Sequence, residues 1–434
     1  MSTTPATIAG ASTNASEWQQ RLEHVIETVR TMSLHQDPEE MVRTYARRMR
    51  EVFPLDGHLS LSRRGLTAPR VRITRNSAWK EHVNPWKQKD RLPVLEGGIL
   101  AEWIYGNEPR LIDHLDVSPD DPAFEYLREF KSALVIPHFD GGEALNMVAH
   151  LRKQPAAFDR EQFPELVLTS NLFGRATRNL VLSEELGAAY QSIDHELKLV
   201  GDIQRSLLPP GLPDIPGMRL AVHYQTSKRA GGDYYDFFPL AHGEWGILIA
   251  DVSGHGTPAA VVMAITHTIA HTLPGPPTPP GRLLGKINEL LCGRYTQGNG
   301  TFVTAFYGVY DPTRRRLTYG SAGHNPPRLR RADGTMQPLD GARHLPLGID
   351  PEEPYTETSI DLSSGDLLLL YTDGVTETFD ADGTMFGARR LDDVLGRPHR
   401  DPTDAIDDVM ESLHAFAGGK PPTDDRTLLA ATME

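Results

Sequence analysis

Hydrophobic periodicity in the N-terminal part of the chain predicts a mixed domain of helices and strands. Apolar residues recur every three or four positions over residues 22–29 and 41–49, which predicts two amphipathic helices. Apolar and polar residues alternate at 58–62 and 71–74, as in half-buried strands. The two apolar runs within residues 133–149 flank a Gly-rich turn and predict a β-hairpin, which another amphipathic helix follows.

Residues 182–208 carry an apolar repeat that predicts one long helix ending before Pro209. The spacing of its apolar positions averages 3.5 residues, which is the period of a helical seam that pairs with a second helix. Two alternatives stay open, a helix packed on its own domain or a parallel coiled coil, and we favour a coiled-coil homodimer. The seam positions are Leu186, Ala189, Ile193, Leu197, Val200, Ile203 and Leu207.

The C-terminal half alternates strand patterns with helical patterns, which predicts a second domain. The runs at 245–250 and 366–372 are almost continuously apolar, as in strands buried on both faces. Residues 257–258, Thr-Pro, suit the N-cap and the first turn of a helix after the first run. The Pro-rich segment 274–281 predicts a surface connector, in preference to a polyproline ligand.

Aspartates stand where these strands end. Asp251 follows the first apolar run and precedes a Gly turn, and Asp373 follows the second run. Asp424 and Asp425 precede the last predicted strand, and Asp233 closes a Gly-Gly-Asp turn. An unpartnered buried carboxylate costs several kcal/mol, whereas carboxylate oxygens readily hold a hard cation such as Mg²⁺ or Mn²⁺. The set of aspartates therefore predicts a metal site, with Asp251 as its best-positioned member.

Composition limits the remaining alternatives. The chain has 434 residues, which suggests two domains, and a formal net charge of −14, which argues against a nucleic-acid-binding protein. The single cysteine, Cys292, excludes a disulfide framework within one chain and is interpreted as a small buried hydrophobe. Residues 1–16 have neither a basic start nor an apolar core, so they predict a disordered tail and no secretory signal. No apolar run reaches the roughly 20 residues that span a bilayer, so we expect a cytoplasmic protein without a membrane partner.

The order of the C-terminal motifs resembles that of one protein family. The motifs cover residues 202–434 and are similar to the SpoIIE-like, or RsbU-like, branch of the PPM-type serine/threonine phosphatases. The resemblance implies a sandwich of two antiparallel β-sheets flanked by helices, and hence an α/β (α+β) fold class. The motifs are GDIQRSLLP, AGGDYYDFF, LIADVSGHGTPAAVVMA, GTFVTAFYGVYD, YGSAGHNPP, LPLGI, LLLLYTDGVTE and DDRTLL.

The same resemblance implies the members of the metal site. It implies that Asp233, Asp251, Asp373 and Asp424 are catalytic and bind two Mn²⁺ or Mg²⁺ ions, with Asp251 bridging the two. The backbone carbonyl of Val252 is implied as a further ligand. For the position before the last strand, we prefer Asp424 over the aspartate that follows it.

Other polar residues near these motifs keep two interpretations each. His255 and His324 are either proton donors or histidines that brace a turn, and we favour the bracing role. Lys228 or Arg229 either attracts the phosphate group or is a solvated charge, and we favour the solvated charge.

The resemblance implies a metal-dependent protein phosphatase that acts in bacterial signalling. Such an enzyme hydrolyses phosphoserine or phosphothreonine on a partner protein with a hydroxide that the two metal ions activate. The expected partner is a STAS-type anti-sigma-factor antagonist. The alternative is a non-catalytic sensor that binds its partner and keeps a relic metal site. A class III nucleotide cyclase is a third hypothesis, which the motifs at residues 373–377 and 424–427 disfavour.

The N-terminal order of strand, turn, strand, Ala-Phe-Asp and closing helix resembles the second half of a GAF domain. Such domains bind small molecules or mediate dimerisation, and both alternatives stay open. The predicted boundaries are a tail at 1–16, a GAF-like sensory domain at 17–181, the helical linker at 182–208 and the phosphatase domain at 209–434. We expect the sensory domain to regulate the phosphatase domain through the linker helix.

Overall fold

The structure is a computed structural model that describes residues 11–272, 279–296, 298 and 300–434, with the backbone alone at 11–18, 20, 21, 24, 51 and 52. The chain divides into two compact units, Met1–Tyr190 and Gln191–Glu434. Part of the predicted tail lies outside the described residues, and the first helix begins at Ala11, within the range predicted as tail. The extent of the tail stays a prediction. Most of the Pro-rich segment also lies outside the described residues, although its last residues begin a helix at Pro280, since proline is tolerated in a first helical turn.

The N-terminal unit is built on one six-stranded antiparallel sheet with the order β3-β2-β1-β6-β5-β4. Its core is formed by apolar residues of β1, β2, β5, β6 and helix α3. The elements are α1 (Ala11–Ser33), α2 (Pro38–Val52), β1 (Gly57–Ser62), β2 (Arg70–Asn76), β3 (Val94–Glu96), α3 (Gly98–Tyr105), β4 (Arg110–Ile112), α4 (Phe124–Leu127), β5 (Ser132–Asp140) and β6 (Glu143–Arg152).

Both strands predicted from alternation and the predicted hairpin are confirmed in this unit. Strands β1 and β2 contain the alternating segments, and their apolar residues Leu59, Leu61, Val71 and Ile73 are buried. Strands β5 and β6 pair around the turn at Gly141 and Gly142, both of which adopt positive φ angles that favour glycine. The resemblance of this unit to a GAF domain stays a prediction.

Helix α5 (Phe163–Arg205) is 43 residues long and runs without a break through the predicted boundary at residue 182. The closing helix of the N-terminal pattern and most of the predicted linker are therefore one element. Of the predicted seam, Leu186, Ile193 and Ile203 are exposed, whereas Leu197 and Val200 are partly buried. The exposed positions form the face that a coiled-coil partner would cover, and the coiled-coil dimer stays a prediction.

The C-terminal unit contains two sheets. One has the order β14-β11-β10-β9-β8, with β15 paired to β11, and the other has the order β13-β12-β16-β17-β7. The strands are β7 (Met218–Gln225), β8 (Tyr234–Pro239), β9 (Trp245–Val252), β10 (Val303–Asp311), β11 (Arg316–Ala322), β12 (Arg328–Arg330), β13 (Met336–Pro338), β14 (Arg343–His344), β15 (Thr358–Asp361), β16 (Leu367–Tyr371) and β17 (Arg426–Met433). The helices are α6 (Thr257–Thr272), α7 (Pro280–Arg294), α8 (Asp373–Thr376), α9 (Gly387–Leu395) and α10 (Pro402–Phe416).

The two sheets pack face to face, with helices on the outside. In the second sheet Leu368 and Leu370 face a core shared with the first sheet, while Leu367 and Leu369 pack in a separate cluster with α9 and α10. This alternation is the period of two expected of a strand buried on both faces. The predicted sandwich of two sheets flanked by helices, and with it the α/β (α+β) fold class, is confirmed. Among the described residues, every helix is too short or too polar to cross a membrane.

Candidate active site

Strand pairing explains why the predicted aspartates meet. In the first sheet β8 and β9 are antiparallel, with Tyr234 opposite Ala250, so Asp233 before β8 lies beside Asp251 near the end of β9. In the second sheet β16 and β17 are antiparallel, with Tyr371 opposite Leu428. This pairing brings Asp373, after β16, towards Asp424, before β17. Each sheet thus contributes one pair of aspartates.

Asp233 is completely buried and links the two sheets. Its Oδ2 atom accepts hydrogen bonds from the hydroxyl groups of Thr372 at 2.8 Å and Thr427 at 2.6 Å, both of the second sheet. Its Oδ1 atom is buried without a hydrogen-bond donor. Burial, opposed by the two threonine hydrogen bonds but reinforced by neighbouring carboxylates, raises the pKa of Asp233 to about 8.

The other aspartates crowd around it. The Asp251 carboxyl contacts those of both Asp233 and Asp373, and its pKa is raised well above the ordinary range by burial and by the charges of Asp233, Asp373 and Asp424. Burial, followed by the charges of Asp424 and Glu377, raises the pKa of Asp373 to about 6. Carboxylates gathered in this way repel one another in the ionised state, so a cation between them stabilises the arrangement.

The donor set fits a hard divalent cation. All of its side-chain donors are carboxylates, and the buried, unpartnered Oδ1 of Asp233 is a ready ligand atom. No three of the four aspartates offer oxygens that all lie within 4.8 Å of one another. Three of these carboxylates therefore do not converge on one point, and Mg²⁺ itself usually takes one or two carboxylates and keeps several waters.

The Val252 carbonyl lies beside the same site. A Cβ atom on Gly232 would stand 2.8 Å from the Val252 oxygen, which only a glycine at this position avoids. The Gly-Gly-Asp turn therefore packs directly against the backbone that follows Asp251. Gly232 does not adopt a positive φ angle, so the close approach of the backbone is what requires a glycine there.

Asp424 and Asp425 have different surroundings although they are adjacent. Asp425 is buried, and its carboxylate accepts hydrogen bonds from the backbone N–H groups of Ser227 and Gly232, at 2.7 Å each, and from the Ser227 hydroxyl. Asp424 is only partly buried, and its charge acts on Asp251 and Asp373. The geometry therefore gives Asp425 the task of holding the Gly-Gly-Asp turn and leaves Asp424 facing the other aspartates.

The last turns of helix α5 form hydrogen bonds with the Gly-Gly-Asp turn, a contact that the sequence analysis did not predict. Buried Gln204 donates from Nε2 to the Gly231 carbonyl at 2.7 Å and accepts at Oε1 from the Gly231 N–H at 2.9 Å. Asp194 forms a two-point ion pair with Arg229, at 2.9 and 3.0 Å. A Cβ on Gly201 would come within 2.0 Å of the Arg229 carbonyl, so the helix lies directly on this loop. The GDIQRSLLP motif contains Gln204 and was the sequence signal for this contact. The motif alone does not show that Gln204 binds the Gly231 backbone, because that partner is 27 residues away.

The remaining candidates separate into structural and accessible groups. His324 is buried, its Nδ1 lies 2.8 Å from the Thr304 hydroxyl, and burial lowers its pKa to about 4, which favours the bracing role. Arg229 is engaged by the ion pair of α5. His255 is exposed and lines an open groove with Lys228, whose side chain lies against Gly256. Of the polar residues predicted from the sequence, Lys228 is thus the cation that stays accessible beside the aspartate loops.

Residues 241–434 match the protein family described as Stage II sporulation protein E (SpoIIE). The phosphoserine phosphatase RsbU of Bacillus subtilis is 30% identical over 203 residues, which are 46% of this chain and 59% of RsbU. The phosphoserine phosphatase RsbP of the same organism is 29% identical over 185 residues, which are 42% of this chain and 45% of RsbP. The chain thus spans about half the length of these relatives.

A solved structure supports the fold of the same region. The SiaA PP2C domain of Pseudomonas aeruginosa superposes with a TM-score of 0.50 at 24% identity, covering 57% of this chain and 99% of that domain. The C-terminal part of this chain is therefore similar to the SpoIIE family, and its fold is similar to that of a PP2C domain. The predicted resemblance to this family is confirmed over residues 241–434, and both Bacillus subtilis relatives are phosphoserine phosphatases.

Proposed function

We propose that the chain is a metal-dependent protein phosphatase that hydrolyses phosphoserine or phosphothreonine on a partner protein. The observation that carries the proposal is the buried Oδ1 atom of Asp233, which has no donor and lies among three further aspartates. An unpaired carboxylate oxygen at this depth is costly unless a cation engages it. The phosphoserine phosphatases RsbU and RsbP, to which the chain is similar, support the choice of reaction.

In this proposal Asp233, Asp251, Asp373, Asp424 and the Val252 carbonyl hold two Mn²⁺ or Mg²⁺ ions. Such ions, when bound, polarise a phosphoryl group and lower the pKa of a water nucleophile. The protein's own task is positioning. Two threonine hydroxyls fix Asp233 from the second sheet, and the hydrogen bonds that Asp425 accepts fix the turn before it.

The partner is proposed to be a phosphorylated STAS-type antagonist of an anti-sigma factor. A phosphoserine on a folded protein is bulky, so its site must be open to solvent. The groove with Lys228 and His255 is open and lies on the loops next to Asp233 and Asp251. Lys228, for which no ion-pair partner is described, supplies positive charge for a dianionic phosphate there.

Phosphate release from a phosphoserine STAS protein tests the proposal. We expect release with Mn²⁺ or Mg²⁺ and none after chelation with EDTA. Asp251→Asn removes the charge at the centre of the cluster and should reduce the rate by about three orders of magnitude, the scale of losing a major electrostatic contact with a transition state.

The matched control for that variant is Asp407→Asn, which changes an exposed aspartate on helix α10 of the same unit. This control should keep the wild-type rate. A folded wild-type protein that releases no phosphate with either ion, from a panel of phosphorylated STAS proteins and from para-nitrophenyl phosphate, would count against a phosphatase. Equal rates for Asp251→Asn and wild type would place the reaction elsewhere.

Regulation is proposed to act through helix α5. The helix contains residues of both units, and its last turns hold the Gly-Gly-Asp turn through Gln204 and, at Arg229, through Asp194. A shift or rotation of α5 therefore moves the loop that carries Asp233. Dimerisation along the exposed face of α5 is one way to set that position.

The N-terminal unit is proposed to bind an anionic small molecule. It contains a cavity of about 430 Å³, lined by Arg72, Arg178, Trp86 and Phe173 among others. The Nε atoms of both arginines are buried without an acceptor. Guanidinium groups next to aromatic rings suit a planar ligand with a carboxylate or phosphate group.

A further inference from the structure

Helix α6 carries two histidines at the end far from the aspartate loops. His267 and His271 are four residues apart, so their side chains lie on one face of the helix. Their ring centroids are 4.4 Å apart. Asp236 of strand β8 lies against them, and one ligand atom from each of the three residues falls within 4.8 Å of the others. Two imidazoles and a carboxylate thus converge outside the site described above.

The three side chains are held in place by strand β8. The Oδ1 atom of Asp236 accepts from the Phe237 N–H at 2.8 Å, and its Oδ2 atom accepts from the Tyr234 hydroxyl. The ring of Tyr234 packs edge-on against His267 at 5.6 Å, and the Phe238 ring packs on His271 at 5.2 Å. Ligands whose orientation is fixed in advance lose little conformational freedom when they bind an ion.

The two imidazoles are also available to bind a metal ion. The Nδ1 atom of His267 is buried and has no hydrogen-bond partner. Burial, together with the neighbouring His271, lowers the pKa of His267 even though Asp236 acts in the opposite direction, so its imidazole is neutral at pH 7. The Nε2 atom of His271 lies 2.7 Å from Asp236 Oδ2, and its side chain is 45% exposed, which leaves a route from solvent.

We propose that Asp236, His267 and His271 form a second metal site, for one transition-metal ion of the Zn²⁺ class. Imidazole nitrogens favour Zn²⁺ and its neighbours over Mg²⁺ and Mn²⁺, which prefer oxygen. Three protein ligands and one water complete a four-coordinate site. Binding replaces the proton held between His271 Nε2 and Asp236 Oδ2, and that proton leaves to solvent.

The ion ties strand β8 to helix α6. Strand β8 begins directly after Asp233, and α6 follows the Gly turn after Asp251, so the two elements flank both aspartates. Asp236 is three residues from Asp233, which is about 10 Å along a strand. The ion therefore stabilises the frame of the aspartate site without belonging to it. The inference does not depend on phosphatase activity, because a structural ion here needs no turnover.

Zinc binding by the untagged full chain tests the site. The protein is stripped with EDTA, saturated with Mg²⁺ to occupy the aspartate site, titrated with Zn²⁺ against a colorimetric chelator, and analysed for metal content after gel filtration. We expect the wild type to retain one Zn²⁺ per chain more than His271→Gln or His267→Gln retains. The Zn²⁺ affinity of each variant should be lower than that of the wild type by about tenfold or more. Co²⁺ should give the intense visible absorption of a four-coordinate site in the wild type and not in His267→Gln or His271→Gln.

His414→Gln is the matched control, since His414 lies in the last turn of helix α10 as His271 does in α6. This control should bind Zn²⁺ as the wild type does. Circular dichroism checks that each variant is folded, and His271→Gln is the safer of the two because His271 is partly exposed. Equal Zn²⁺ content and affinity in the wild type and in folded His271→Gln would overturn the proposal and leave the cluster as a hydrogen-bonded brace.

Discussion

In the C-terminal unit the Oδ1 atom of Asp233 is buried without a donor, whereas in the N-terminal unit the Nε atoms of Arg72 and Arg178 are buried without an acceptor. The first atom lies among carboxylates, and the two guanidinium groups line a cavity with aromatic rings. Buried polar atoms are nearly always satisfied, and a bound group of opposite charge would satisfy an oxygen that lies among carboxylates or guanidinium groups that line a cavity. The comparison predicts a cation site in one unit and an anion site in the other.

The two regions also differ in how firmly the unpaired group is held. Asp233 is fixed by Thr372 and Thr427, and its turn is fixed by Asp425 and Gln204. Arg72 and Arg178 have no described ion pair, although Arg64 and Arg75 of the same cavity are paired with Asp140 and Glu39. A rigid cation site suits catalysis, and an adaptable anion site suits a sensor.

The largest effect on stability is expected at Asp425. Asp425→Ala leaves the buried N–H group of Gly232 and the partly buried N–H group of Ser227 without an acceptor, which should lower the free energy of unfolding by about 2–4 kcal/mol. Urea unfolding in the presence of EDTA, followed by circular dichroism, measures the change.

Asp424→Ala is the matched variant, one residue away. It removes a carboxylate that repels its neighbours, so the unfolding free energy in EDTA should stay within about 1 kcal/mol of wild type or rise. Mn²⁺ should then raise its thermal midpoint less than that of the wild type. A large loss of stability for Asp424→Ala, with Asp425→Ala unaffected, would reverse the roles assigned to the two aspartates.

An intermediate effect is expected at Gln204. Gln204→Ala leaves both polar groups of the Gly231 backbone unpaired, at a cost of about 1–3 kcal/mol. Because that turn carries Asp233, kcat should fall more than the stability loss alone explains. Gln191→Ala, at an exposed position of the same helix, should leave both quantities unchanged. If both variants show wild-type kcat, helix α5 does not position the turn.

The smallest effect is expected in the N-terminal cavity. Arg178→Gln removes a charged donor and should weaken binding of AMP or GMP by about tenfold, the scale of one charge-assisted hydrogen bond. Isothermal titration calorimetry measures the affinity, and Arg43→Gln, an exposed arginine of helix α2, is the control. Identical affinities in wild type and Arg178→Gln would show that the cavity arginines do not face an anion.

Much of the fold was predictable because the sequence patterns are strong. Continuous apolar runs gave β9 and β16, alternation gave β1 and β2, and the Gly-rich turn gave the hairpin of β5 and β6. Aspartates at the ends of buried strands pointed to the site, because a charge cannot leave a buried strand without a partner. The sandwich of two sheets in the C-terminal unit was predicted only from family resemblance, since pairing between distant strands leaves no local pattern.

Other parts of the site could not be predicted because they depend on long-range contacts. Thr372 and Thr427 belong to the quoted motifs, yet their hydroxyls bond to a residue more than 130 positions away. The difference between Asp424 and Asp425 arises from the path of the loop at Ser227.

The most direct test of the central claim is a crystal structure of the Mn²⁺-soaked protein with anomalous scattering at the manganese edge. We predict two anomalous peaks beside Asp251, one of them within coordination distance of Asp233 Oδ1, with Asp373, Asp424 and the Val252 carbonyl among the ligands. Asp425 should keep its hydrogen bonds to Ser227 and Gly232 and bind no ion. An absence of peaks at saturating Mn²⁺, or ligation by Asp425 in place of Asp424, would contradict the account.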